Sequence, residues 1–250
     1  MSVRGSFLRI LLVGFLLGTV LLGHKFGSAA GTSQQENNPV GWSLSFLNQV
    51  FKDVGWLITI VVWALLLCAR YWRQHCLQEN ASWKRHAGLD IILWIVASLY
   101  WGCCVQIFQL IVRNYGHCDL NALAVADNEQ SCVDAGGMWS PFDISGHAFL
   151  CALGICLLVE EVIRFIGEPV YYFTLHTDTT SEQEAACITR AKLYWWSAVG
   201  MAGIVVASWS ILYVRTAFFY HTIKEKLLGV AIGCAYWTGV VLCRFLILYS

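Results

Sequence analysis

Two distant segments of this chain carry residues whose types and spacing suit chemistry on a phosphate. Ser145-Gly146-His147 opens a long apolar run, and a later stretch holds Arg215, His221 and Glu225, with five and then three residues between them. Histidine near neutral pH serves as nucleophile, base or proton donor, and arginine's planar fork matches phosphate oxygens. On a helix, His221 and Glu225 lie one turn apart, so the carboxylate is expected to hold the imidazole in one tautomer. Gly146 lets the backbone approach a ligand, and Ser145 offers a hydroxyl. A helix starting here adds the unpaired N–H groups of its first turn, which favour an anion. His147 and His221 are therefore the catalytic candidates, with Ser145, Gly146, Arg215 and Glu225 as candidates for binding or orienting phosphate.

The elements that must position these residues are membrane spans. Of the 250 residues, 58% are hydrophobic and 13% charged, against about 25% charged in soluble domains. Net charge is zero, which argues against a nucleic-acid partner. Crossing a bilayer core of roughly 30 Å takes about 20 mostly apolar residues. Six segments qualify: about 7–23, 54–72, 89–112, 147–166, 194–214 and 227–248. The expectation is an all-α polytopic membrane protein, with residues 1–250 forming a single integral membrane domain. The first span, with Arg4 and Arg9 before it and Ser28-Ala29-Ala30 after it, reads as a retained anchor or a cleavable signal peptide. The anchor is the favoured reading.

Basic residues set the orientation. With the N-terminus cytosolic, nine of them face the cytosol: Arg4, Arg9, Arg70, Arg73, Lys84, Arg85, Arg164, Arg190 and Lys192. Six face the other side: Lys25, Lys52, Arg113, Arg215, Lys224 and Lys226. Both termini are then cytosolic, and His147 and His221 share the opposite, lumenal face. Cys118 and Cys132 are the only cysteines in the acidic loop on that face, either a disulfide or two free thiols. The other nine cysteines read as small buried hydrophobes, and the sequon Asn80-Ala81-Ser82, on the cytosolic side, is expected to stay unmodified. A zinc set of His117, Cys118 and Cys132 matches no strong ligand spacing, so no metal is expected. Glu160 and Glu161 near the end of the fourth span are costly in lipid, and are read as a Glu160–Arg164 pair or as a polar contact to the substrate or another span.

The stretches Asp143-Ile144-Ser145-Gly146-His147 and Tyr220-His221-Thr222, in a six-span chain of this length, resemble the fat storage-inducing transmembrane family of the endoplasmic reticulum. That family looks like a branch of the lipid phosphate phosphatases, which implies a lipid-phosphatase-like helical core. The phosphatase motif Pro-Ser-Gly-His is matched with Ile144 in place of proline. In the Ser-Arg, His, Asp motif, Val214 stands for serine and Glu225 for aspartate. The first motif of the phosphatases, Lys, six residues, Arg-Pro, is absent, and Lys224 and Lys226 are the nearest replacement cations. The resemblance implies an acyl-CoA diphosphatase of the endoplasmic reticulum membrane. It would need no cofactor, would release acyl 4'-phosphopantetheine and adenosine 3',5'-bisphosphate, and would support lipid droplet formation. The alternative is a non-enzymatic protein that binds diacylglycerol or triacylglycerol and partitions neutral lipid into droplets.

Overall fold

Apolar runs flanked by polar ends fold here into long helices, because a backbone in lipid must satisfy its own hydrogen bonds. The computed structural model describes residues 3–26, 39–76, 83–119, 129–167 and 182–249. The long helices are α1 (Val3–Phe26), α2 (Pro39–Cys76), α3 (Trp83–Asn114), α5 (Gly146–Gly167), α6 (Glu182–Phe219) and α7 (Ile223–Tyr249). Each contains a stretch long and apolar enough to cross a membrane. Between α3 and α5 lie strand β1 (Gly116–Asp119), the short helix α4 (Glu129–Asp134) and strand β2 (Met138–Pro141). The strands pair antiparallel, with Cys118 opposite Trp139.

The helices outrun the spans counted from apolar windows. α2 begins at Pro39, well before residue 54, because a helix leaving the hydrocarbon tolerates Asn48, Lys52 and Asp53. α1 is built into the bundle: Leu16 and Val20 are fully buried, and Tyr213 of α6 donates its hydroxyl to the Leu16 carbonyl. The sequon at residues 80–82 lies outside the described residues.

α5 is the most enclosed helix and packs chiefly on α6 and α7, while α2 packs on α6. Its contact with α7 runs over Gly229 and Gly233, a Gly-x-x-x-Gly pair. A Cβ at Gly229 would stand 2.6 Å from the Ser145 carbonyl oxygen, and one at Gly233 2.7 Å from that of Phe149. Only glycine permits this approach, so the pair sets how closely the start of α5 sits on α7. α3 meets its neighbours sparsely.

At the far end of the bundle from the start of α5, charges are buried together. Asp90 of α3, 1% exposed, meets Arg244 of α7 at 2.9 Å, Arg164 of α5 at 3.1 Å and Arg70 of α2 at 3.4 Å. Glu161 joins Arg244 at 2.7 Å and Arg164 at 3.0 Å, while Glu160 meets Arg9 of α1 at 2.6 Å. The cluster holds five helices. Of the readings open for the two glutamates, contact with other spans is what forms, because Arg9 and Arg244 approach them from neighbouring helices; Arg164 turns to Glu161 and Asp90.

Cys118 and Cys132 form a disulfide, with Cα atoms 5.7 Å apart, so neither thiolate is free for a metal. Cys187, near the start of α6, is also disulfide-bonded. It is therefore not the small buried hydrophobe expected of it. Since α6 starts at the end opposite the Cys118–Cys132 bond, cysteine pairing does not by itself orient the chain.

Removing one partner from a buried charge cluster leaves the others uncompensated, at a cost of about 3–5 kcal/mol. Asp90→Ala is accordingly expected to lower the thermal unfolding midpoint of the detergent-solubilised protein sharply, and an unchanged midpoint would contradict a structural role for the cluster.

Candidate active site

α5 starts at Gly146 because Ser145 caps it. The Ser145 hydroxyl oxygen accepts the Ala148 N–H at 3.3 Å, and the residue is fully buried. In this cap the Ser145 hydroxyl oxygen is an acceptor. The N–H groups of Gly146 and His147 have no partner among the described residues, and a Cβ on Gly146 would meet nothing within 4 Å. The first turn therefore presents two open donors beside open space.

His147 is fixed from α2. Its ring stacks on Phe51, with centroids 5.4 Å apart and planes at 22°, and its Nε2 lies 2.8 Å from Asn48 Oδ1. Phe51 in turn meets Trp209 of α6 edge-on at 4.7 Å. With the amide oxygen accepting, Nε2 carries the proton and Nδ1 is left as the acceptor.

His221 sits in the break between α6 and α7 at φ 58°, in the left-handed region that costs a non-glycine residue on the order of 1–2 kcal/mol. What holds it there is the start of α7. Thr222 and Glu225 form a capping box: the Thr222 N–H and hydroxyl donate to Glu225 Oε2 at 2.7 and 2.9 Å, and the Glu225 N–H points back to the Thr222 hydroxyl at 3.4 Å.

Glu225 faces His221 without a hydrogen bond to it. The chain is not helical across the pair, and Glu225 Oε2 stands 4.0 Å from His221 Nδ1. Asp143 is nearer, with Oδ2 at 3.6 Å. Glu225 instead ties backbone to backbone, since its Oε1 accepts the Asp143 N–H at 2.9 Å and its carbonyl accepts the Ser145 N–H at 3.3 Å. One residue therefore clasps the approach to α5 onto the start of α7. The hairpin sets the other side, where the Phe142 N–H donates to the Tyr115 carbonyl at 2.8 Å.

Arg215, near the end of α6, lies over the Tyr220 ring at 5.9 Å and reaches its hydroxyl at 3.4 Å, while its buried Nε has no hydrogen-bond partner among the described residues. Of the two lysines expected as replacement cations, Lys226 is committed elsewhere, donating from Nζ to the Ala217 carbonyl at 2.6 Å. Lys224 is exposed. The cation that comes into electrostatic reach of His147, along with His221 and Arg215, is Lys52 of α2.

Sequence reasoning missed Asn48, Phe51, Lys52 and the role of Asp143. Asn48, Phe51 and Lys52 follow helical spacing upstream of the apolar window, and Thr222-x-x-Glu225 is a capping signature, so both signals were there to be read.

The chain matches the family model described as fat storage-inducing transmembrane protein over residues 43–241. Among its relatives are proteins named acyl-coenzyme A diphosphatase FITM2. That of Drosophila melanogaster is 25% identical over 215 residues, covering 77% of this chain and 49% of that protein. That of Danio rerio is 27% identical over 201 residues, covering 78% and 69% respectively. The Homo sapiens protein is 27% identical over 150 residues, covering 58% and 52%. The chain thus spans about half the length of the fly and human relatives it matches. No solved structure matches it. The match to the family model covers most of the chain and takes in both histidine segments, and the chain belongs to the fat storage-inducing transmembrane family.

Proposed function

We propose that this protein hydrolyses the diphosphate bond of fatty acyl-CoA, releasing acyl 4'-phosphopantetheine and adenosine 3',5'-bisphosphate. The observation that carries the reading is that Glu225 fastens the His147 and His221 segments together at one end of the bundle, with Arg215 and Lys52 in reach. The name borne by the relatives supplies the substrate class.

In this reading His221 is neutral, with Nδ1–H turned to Asp143, and its Nε2 attacks one phosphorus of the diphosphate. The anhydride P–O bond breaks, and the leaving phosphate departs as its anion beside Arg215 and Lys52. Neutral His147 then takes a proton from water through Nδ1 as the water oxygen attacks the phosphohistidine; the P–N bond breaks, and His147 gives that proton to solvent. Arg215, Lys52 and the open N–H groups of Gly146 and His147 hold the phosphoryl oxygens as charge shifts.

The reading extends to place. The basic-residue bias of nine to six favours a cytosolic N-terminus and a lumenal histidine end. The family points to the endoplasmic reticulum membrane and to support of lipid droplets. A second reading is binding of diacylglycerol or triacylglycerol without turnover, and the exposed apolar faces of the spans favour it.

Mass spectrometry of products from purified protein and oleoyl-CoA tests the enzyme. Both products should form with wild type and fall by at least about a thousandfold with His147→Ala or His221→Ala. A folded wild type that binds lipid but forms neither product would leave the binding reading. Asn48→Ala frees the His147 ring and should lower kcat by on the order of a hundredfold, with KM little changed. Asn48→Asp keeps an acceptor and should recover most of that loss, whereas equal loss in both variants would deny Asn48 a positioning role.

A further inference from the structure

Resting on the acyl-CoA reading, we propose that the open groove between α3 and the approach to α5 receives the acyl-pantetheine arm of the substrate, which enters sideways from the membrane. The cavity has a volume of about 280 Å³. Val105, Phe108 and Val112 line it from α3, at the spacing of one helix face, and Ile144 faces them. Sparse packing of α3 against its neighbours leaves the side toward lipid open.

Three features identify the occupant. First, the groove ends at the site: Asp143 and Gly146 belong to its wall, Asp143 faces His221 at 3.6 Å, and Gly146 adjoins His147 with open space before it. Second, the lining carries only a few polar groups. Gln109 offers a carboxamide that pairs with the amides of a pantetheine arm, and exposed Arg113, without an ion pair among the described residues, offers charge toward a phosphate. Third, the cavity is below the ~300–1,000 Å³ of pockets that enclose a ligand, so it fits one arm and leaves the rest of a long chain in lipid. An apolar chain ending in amides and a phosphate complements this order of groups. A neutral glyceride leaves Arg113 and Gln109 unmatched.

Kinetics with butyryl-CoA and oleoyl-CoA test the groove in the full chain. Val105→Trp and Val112→Trp fill it, and are expected to raise KM on the order of tenfold for both substrates, which share the pantetheine arm, while kcat stays within about twofold. A fall in kcat with KM unchanged, or no change in either, would overturn the proposal and leave the acyl-CoA reading standing, since wild type still cleaves. If wild type cleaves no acyl-CoA, that reading falls, and photolabelling of unmodified protein with a diazirine-bearing oleoyl-CoA decides the groove alone. Labelling within residues 105–112 that unlabelled oleoyl-CoA displaces supports it. Labelling elsewhere, or equal labelling of this stretch by a diazirine phosphatidylcholine, overturns it.

Discussion

Glu225 uses both carboxylate oxygens on groups from different parts of the chain: Oε1 on the Asp143 N–H before α5, Oε2 on the Thr222 N–H and hydroxyl before α7. These bonds place the two histidine-bearing segments side by side. The backbone of the same residue adds a third tie, to the N–H of Ser145. Hydrogen bonds to a charged group are worth roughly 1.5–3 kcal/mol each, enough together to hold His221 in its left-handed conformation. The position of His221 therefore depends on a carboxylate that the histidine itself does not contact through a hydrogen bond.

The two ends of the bundle divide the work. At one end Asp90 and Glu161 bind arginines from α2, α5 and α7 into a largely buried cluster that locks the helices where lipid gives no hydrophobic drive for association. At the other, Gly229 brings α7 against the Ser145 carbonyl, so the first turn of α5 is placed by backbone contact rather than by side chains. Rigid helices thus carry His147 and its support from Asn48 and Phe51, while α3 stands off far enough to leave an opening beside Asp143 and Gly146.

Hydropathy made the six spans legible, because about 20 apolar residues in a row have few other uses. The two histidines followed from counting spans: consecutive spans cross in opposite directions, so the start of α5 and the end of α6 fall on one face. The partners were harder to read. A window that rewards apolar residues stops at Lys52 and Asp53 and discards Asn48, although the helix continues through them. Treating His221 and Glu225 as one helical turn overlooked that Thr222 caps a new helix, which sends the glutamate to Thr222 and Asp143 and leaves the imidazole nearest Asp143. The cap that the Ser145 hydroxyl makes at the start of α5 was not read from the sequence, although serine just before an apolar run is a helix-start signal. Ion pairs such as Arg9 with Glu160 join residues 151 positions apart, beyond any local pattern.

If His147 and His221 act on one phosphorus as a unit, the loss of either already removes the coupled path, and losing the second removes little more. The most direct measurement is acyl-CoA turnover by the His147→Ala/His221→Ala double variant beside the two single variants. A shared site predicts a double variant within about threefold of the slower single one. Losses that multiply would mean the two histidines act independently, and would contradict a common active site.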